Sequence, residues 1–312
     1  MVDVWTDTTQ MAAVVKAAYD KYIEFDLRST PLFRQIADKR PLDVDKSGST
    51  VTFHKYSDLS AVTGTLTENV TPDLVGIPDP TPVTLTLYER GNVVTKTERL
   101  QLLSFTAVDP AIANMVAYNM VDSLDGLVIT ELLNGTQVTY SNAGAVDNTG
   151  PTNAMTASDV FSSELIRYAV VKLRSQSVVP VKDSLYACHI HPEASADLRA
   201  ETGAAGWRVP HEYTAGTQIW NGEIGTYEGA FFIETPRAYN ATDGASSAKV
   251  HRTLFTGKQA LAEAVAREPG LVLGPVVDPL ERFQPIGWKG LLGWKIFRNE
   301  AIYRIESGTS IA

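Results

Sequence analysis

His189 and His191 are the pair in this chain best suited by type and spacing to hold a metal ion. In an extended segment, positions two apart lie on the same side, about 7 Å from each other. No third ligand stands at a telling spacing, and His191 precedes Pro192, where an imidazole can cap a helix start. Core packing and capping therefore account for both histidines, and a metal-dependent hydrolase is the rival they leave standing. His211-Glu212 opens like a zinc-protease helix, but Ala215 occupies the place of the second histidine. Gly257-Lys258 resembles the end of a phosphate loop, yet Arg252 stands where glycine is needed and Gln259 where a hydroxyl should reach magnesium. Gly222, Gly225 and Gly229 do not fit the dinucleotide fingerprint, and no G-x-S-x-G occurs. Cys188 alternates with Tyr186 and Ile190 on an expected core face, where a thiol is inert packing. The sequons at Asn69, Asn134 and Asn240 mean little without a secretion signal. Residue chemistry thus predicts no enzyme, and no catalytic, cofactor-binding or metal residue.

Composition points the same way. The chain has 312 residues, 44% of them hydrophobic, enough for a substantial core. Its net charge of −9 argues against gripping nucleic acid or an anionic membrane, since either needs clustered Lys and Arg. One cysteine excludes an internal disulfide and fits a reducing compartment. The first residues carry neither a basic region nor an apolar run, and no stretch of about 18 apolar residues occurs, so synthesis in the cytosol is expected.

The elements are organised around the stretch from Asp109 to Gly135, which predicts one long helix. Asp109 and Pro110 suit its start, and Asn134 and Gly135 its end. Ile112, Val116, Met120, Leu124, Leu127, Val128 and Leu132 lay an apolar stripe along one face. About 25 residues make a rod roughly 37 Å long, which reads as a spine crossing the molecule. Before it, residues 8 to 26 predict an amphipathic arm helix, followed by the apolar group Leu32, Phe33 and Ile36. Thr50 to Tyr56 and Val83 to Val94 read as strands, with a turn signal at Gly91-Asn92. Between Tyr56 and Glu89 there is no Lys or Arg, while Pro72, Pro78, Pro80 and Pro82 keep the backbone extended. A loop this long in a compact domain implies a job, and an arm reaching to a partner is the reading that supplies one.

After the spine, 140 to 153 predicts a flexible connection, and Thr156 with Asp159 a capping pair opening a helix. Leu185 to Ile190, Ile224 to Glu234 and Val250 to Thr256 read as strands. Glu193 to Glu201 and Gln259 to Ala266 read as helices, 203 to 221 and 239 to 247 as loops. Trp288 to Glu306 reads as a closing hairpin turning near Asn299-Glu300. Helices and strands mix without βαβ alternation, so the class is α+β.

In the arm segment Leu27 to Asp38, the strand Val51 to Tyr56, the segment Gly222 to Thr235 and the stretch Gly287 to Trp294, the chain resembles a tailed-bacteriophage major capsid protein of the Hong Kong 97 shell fold. The order of parts carries the resemblance more than any one motif. It implies an N-terminal arm (1–48), an E-loop hairpin with strands of the peripheral domain (49–107), the spine helix of that domain (108–139), a mainly axial domain (140–280) and a C-terminal hairpin (281–312). It also implies a non-enzymatic head protein that self-assembles as hexamers and pentamers into an icosahedral shell around double-stranded DNA, without sequence-specific binding and without a membrane. Scaffolding, portal and decoration proteins are the further partners implied, and the location is the virion, with host cytoplasm during assembly. No residue matches a Lys–Asn cross-linking motif, and an arm beginning near Met1 implies a separate scaffolding protein or none. An encapsulin-like nanocompartment shell is the alternative that shares the fold.

Overall fold

The computed structural model describes residues 28–41, 48–66, 68–69, 71, 75–103, 108–201, 223–276, 278–280 and 282–311. The arm helix expected over 8 to 26 and the loop expected over 203 to 221 lie outside the described residues. In chain order, a 3-10 turn (Phe33–Ile36) leads into β1 (Ala37–Pro41). There follow β2 (Thr50–Lys55), β3 (Thr81–Thr86), β4 (Tyr88–Thr97), α1 (Glu98–Leu103) and α2 (Val108–Leu132). Next come β5 (Val138–Asn142), β6 (Ala145–Asp147), α3 (Ser163–Ser175), β7 (Tyr186–Ile190) and α4 (Pro192–Ala200). The chain ends through β8 (Glu223–Tyr227), β9 (Ala230–Glu234), β10 (Asn240–Ala241), β11 (Val250–Thr256), β12 (Leu261–Leu273), β13 (Phe283–Ile296) and β14 (Ile302–Ser307).

Three sheets result. The first has the order β1-β12-β13-β4, the second β6-β5-β14-β11-β7-β9-β8 with β10 added to β11, and the third is the β2-β3 ladder alone. Helix α2 is the spine that the apolar stripe predicts. Val116 and Leu124 bury against Val265, Trp288 and Leu292 of the first sheet. One and two turns on, Val128, Ile129 and Leu132 meet Phe33, Leu261, and Leu254 and Ile302 of the second sheet. The helix thereby joins the two sheets through one continuous apolar face, each fully buried large side chain contributing about 1.5–3 kcal/mol. The second sheet has its own core, where Leu165, Ile166, Ala169 and Leu173 of α3 pack on Tyr186, Cys188, Ile190, Phe232, Phe255 and Ile305.

Several expectations are corrected. Gln259 to Ala266 is not helical: Leu261 to Ala266 opens β12, between β1 and β13, with Ala262 and Ala264 fully buried. Its alanines favour a helix in isolation, but here the small side chains of Ala264 and Ala266 let the β2-β3 ladder approach the strand, while Leu261 and Val265 on the other face meet α2. Gly91-Asn92 is not a turn but lies inside β4, opposite Lys289 and Trp288. A Cβ on Gly91 would stand 2.5 Å from the Trp288 carbonyl oxygen, so glycine serves close approach there. The closing hairpin does not form, because β13 has both edges filled by β12 and β4, and β14 by β11 and β5. The turn Asn299–Ala301 instead carries the chain from one sheet to the other. Thr156 and Asp159 close a turn, Asp159 Oδ2 accepting from Thr156 N at 2.7 Å, and α3 begins only at Ser163. Ile224 to Glu234 is two strands about Gly229, whose φ of +89° suits glycine. Residues 140 to 153 hold the β5-β6 hairpin, and 239 to 247 hold β10.

Candidate functional site

The two histidines singled out by spacing are separated by the fold. His189 is 2% exposed, and its ring lies against Phe33 with centroids 4.9 Å apart. Burial lowers its pKa to about 4, so it is neutral packing. His191 follows the last residue of β7 and acts as the N-cap of α4, its Nδ1 accepting from the Glu193 amide at 3.3 Å. Its partner is a residue that local spacing could not reveal, His251 of β11, whose ring stacks on it at 4.5 Å. His251 Nε2 stands 3.0 Å from Glu193 Oε2, and Lys249 Nζ donates to both oxygens of Glu193 at 2.7 and 2.8 Å. Among the described residues this is the group of His, Cys, Asp and Glu side chains that could hold a metal ion.

The other motif residues fall into structural roles. Cys188 is fully buried, and burial pushes its thiol well above the ordinary range, away from the reactive thiolate. Gly257 lies against Val178 in the turn after β11, and the amide of Lys258 donates to Val179 O, so no phosphate cradle forms. Gly225 and Gly229 belong to the β8-β9 hairpin, while His211, Glu212 and Gly222 lie outside the described residues.

The larger candidate is a surface. From 56 to 80 the chain leaves the β2-β3 ladder and forms no strand or helix among the described residues. Val62, Leu66, Val75 and Ile77 are 88%, 80%, 73% and 80% exposed. A monomer has no reason to hold so many large apolar groups in water along one excursion. The root of the excursion, by contrast, is fixed. Leu85 and Leu87, with Val51 and Phe53, pack on Ala264, Ala266 and Leu291 of the first sheet. Phe53 meets Phe297 edge to face at 6.5 Å, and the Arg40 guanidinium lies over both rings at 4.9 and 4.6 Å. A rigid base thus carries a projecting apolar strap. A second exposed apolar group, Val93, Val94, Leu271, Leu273 and Phe283, marks the far end of the first sheet. No described helix is long and apolar enough to cross a membrane.

Known proteins match this architecture from end to end. The family described as phage capsid protein matches residues 33–309. The cyanophage Pam1 capsid asymmetric unit superposes with a TM-score of 0.75 at 16% identity, covering 100% of both chains. The capsid structure of cyanophage P-SCSP1u gives 0.73 at 13% identity over 98% of this chain and 96% of that one. The capsid of Ralstonia phage GP4 gives 0.70 at 14%, over 99% and 98%. No curated protein matches.

Proposed function

We propose that this chain, which belongs to the phage capsid protein family, tiles an icosahedral head as hexamers and pentamers around the double-stranded DNA of a tailed phage. It is a virion structural protein with the Hong Kong 97-type shell fold. The observation that carries the assembly reading is the projecting 56–80 strap on its fixed ladder, an apolar surface that a neighbouring subunit would cover. On this reading the strap is the E-loop and α2 with the first sheet forms the peripheral domain. The second sheet with α3 and α4 forms the axial domain. The net charge of −9 supports a wall that confines DNA without adhering to it, since little counterion-release binding is available.

The role is that of a building block, with no catalytic step assigned to the chain. Scaffolding, portal and decoration proteins are the partners that this reading brings, and assembly in the host cytoplasm precedes residence in the virion. An encapsulin-like compartment is not favoured, because the family matched is that of phage capsids. Electron microscopy and light scattering of the purified full chain test the proposal. Rings, capsomers or closed shells are expected above a threshold concentration. A strict monomer at high concentration, with or without a scaffold, overturns it.

A further inference from the structure

Three side chains converge where β7 turns into α4. His191 caps the helix, Glu193 lies in its first turn, and His251 reaches them from β11. One ligand atom of each lies within 4.8 Å of the other two. His251 is fully buried and its Nδ1 has no hydrogen-bond partner, so the bonds present do not satisfy the ring.

We propose that His191, Glu193 and His251 form a binding site for a divalent transition-metal ion, with Zn2+ the ion this donor set favours. Two imidazoles and one carboxylate are borderline ligands that suit zinc rather than calcium or magnesium, which take oxygen cages. Zinc bonds of about 2.0–2.2 Å set ligand atoms roughly 3–4 Å apart. The His251–Glu193 separation of 3.0 Å is already close to that range, and side-chain rotation closes the rest. His251 can ligate through Nε2 once its ring proton sits on Nδ1, the nitrogen without a partner, and His191 becomes a ligand at the expense of the cap bond from the Glu193 amide. Three protein ligands leave a fourth position for water.

Lys249 is the competitor. Its ammonium occupies both oxygens of Glu193, but its side chain is 38% exposed and can withdraw into water. A bound ion would therefore replace one cation by another on the same carboxylate, while adding direct bonds from β11 to the head of α4. The site becomes a brace across the second sheet.

The competition makes the proposal separable from a metal-free ion-pair cluster. The full chain, stripped with chelator, is titrated with ZnCl2 by calorimetry and with CoCl2 by absorption, where a tetrahedral site gives an intense visible band. One equivalent per chain is expected. His191→Asn keeps an acceptor for the helix cap but removes a ligand, and should weaken binding by roughly tenfold or more, at least as much as loss of an outer-shell partner does. Lys249→Met should tighten binding several-fold by freeing Glu193. His54→Ala, at an exposed histidine of β2, should leave it unchanged. Absence of stoichiometric binding, full binding by His191→Asn, or weaker binding by Lys249→Met each overturns the proposal.

Discussion

Arg237 donates through Nε to Asp125 Oδ2 at 2.8 Å, joining the turn after β9 to the middle of the spine helix. Asp125 is 1% exposed, and its other oxygen accepts from the amides of Phe33 at 2.7 Å and Arg34 at 3.3 Å. One carboxylate therefore fixes three segments far apart in sequence. Arg237 spreads the clamp to Asp122 and to Ser29 Oγ. Arg34 in turn reaches Glu263 at 2.7 Å, a fully buried carboxylate of β12. The entry of the chain into its body is thus held by charge as well as by Phe33.

Replacing Arg237 by Met should leave the Asp125 carboxylate buried without its cation and cost about 3–5 kcal/mol. In an Asp125→Asn background the same replacement should cost much less, since the amide can still accept from Phe33 and carries no charge to strand. Urea unfolding of dissociated subunits reads both numbers. Equal costs in the two backgrounds would show that the ion pair is not what Arg237 supplies.

Leu124, 2% exposed on α2, faces Val265, Trp288 and Leu292 within its own chain. Leu124→Ala should cost about 2–5 kcal/mol through lost transfer energy and a residual cavity. The expected result is a fall in soluble, folded protein. A variant that folds with an unchanged melting temperature but cannot assemble would mean that this face meets a neighbouring subunit.

The spine could be read from sequence because its information is local: a proline start, a glycine end and a stripe at helical spacing. The strands β7 and β11 were legible for a similar reason, as short apolar runs between breakers. What misled was residue type whose use is set by distant neighbours. The alanines of β12 have helix propensity, yet the face of the strand that lies under the β2-β3 ladder needs them small. Gly91 and Asn92 spell a turn, yet glycine was needed under a neighbouring backbone. His251 lies sixty residues from His191, and only the pairing of β11 with β7 brings them together. No spacing rule reaches that far.

Gly91 permits close approach of neighbouring strands within one sheet, whereas Gly293 of β13 permits it between sheets. A Cβ there would lie 2.3 Å from the Thr86 carbonyl oxygen and 2.8 Å from Leu85 Cδ2. Gly293→Ala should push the β2-β3 ladder off the first sheet and cost about 1–3 kcal/mol as overpacking. Limited proteolysis should cut between residues 50 and 86 faster than in the parent chain. Unchanged cleavage and unchanged melting would show that the ladder's seat tolerates a methyl group.

The strap itself separates folding from assembly. Residues 64 to 80 carry Pro72, Pro78 and Pro80 and no positive charge, and the apolar groups Leu66, Val75 and Ile77 stand in solvent. The segment therefore adds little to the core of its own chain, whereas its base is packed through Leu85 and Leu87. Deleting 64 to 80 and closing the gap with a short Gly-containing turn removes the strap but leaves the root of the ladder in place. The thermal unfolding transition of the subunit should stay nearly unchanged, since the buried contacts are kept. Closed shells should disappear from micrographs if, as proposed, the strap's apolar surface spans to the next subunit and its acidic residues Glu68 and Asp79 meet neutral or basic surface there. Loss of the folded subunit would show that the strap belongs to its own core. Shells forming as before would show that the contacts between subunits lie elsewhere, with the exposed end of the first sheet the next surface to test.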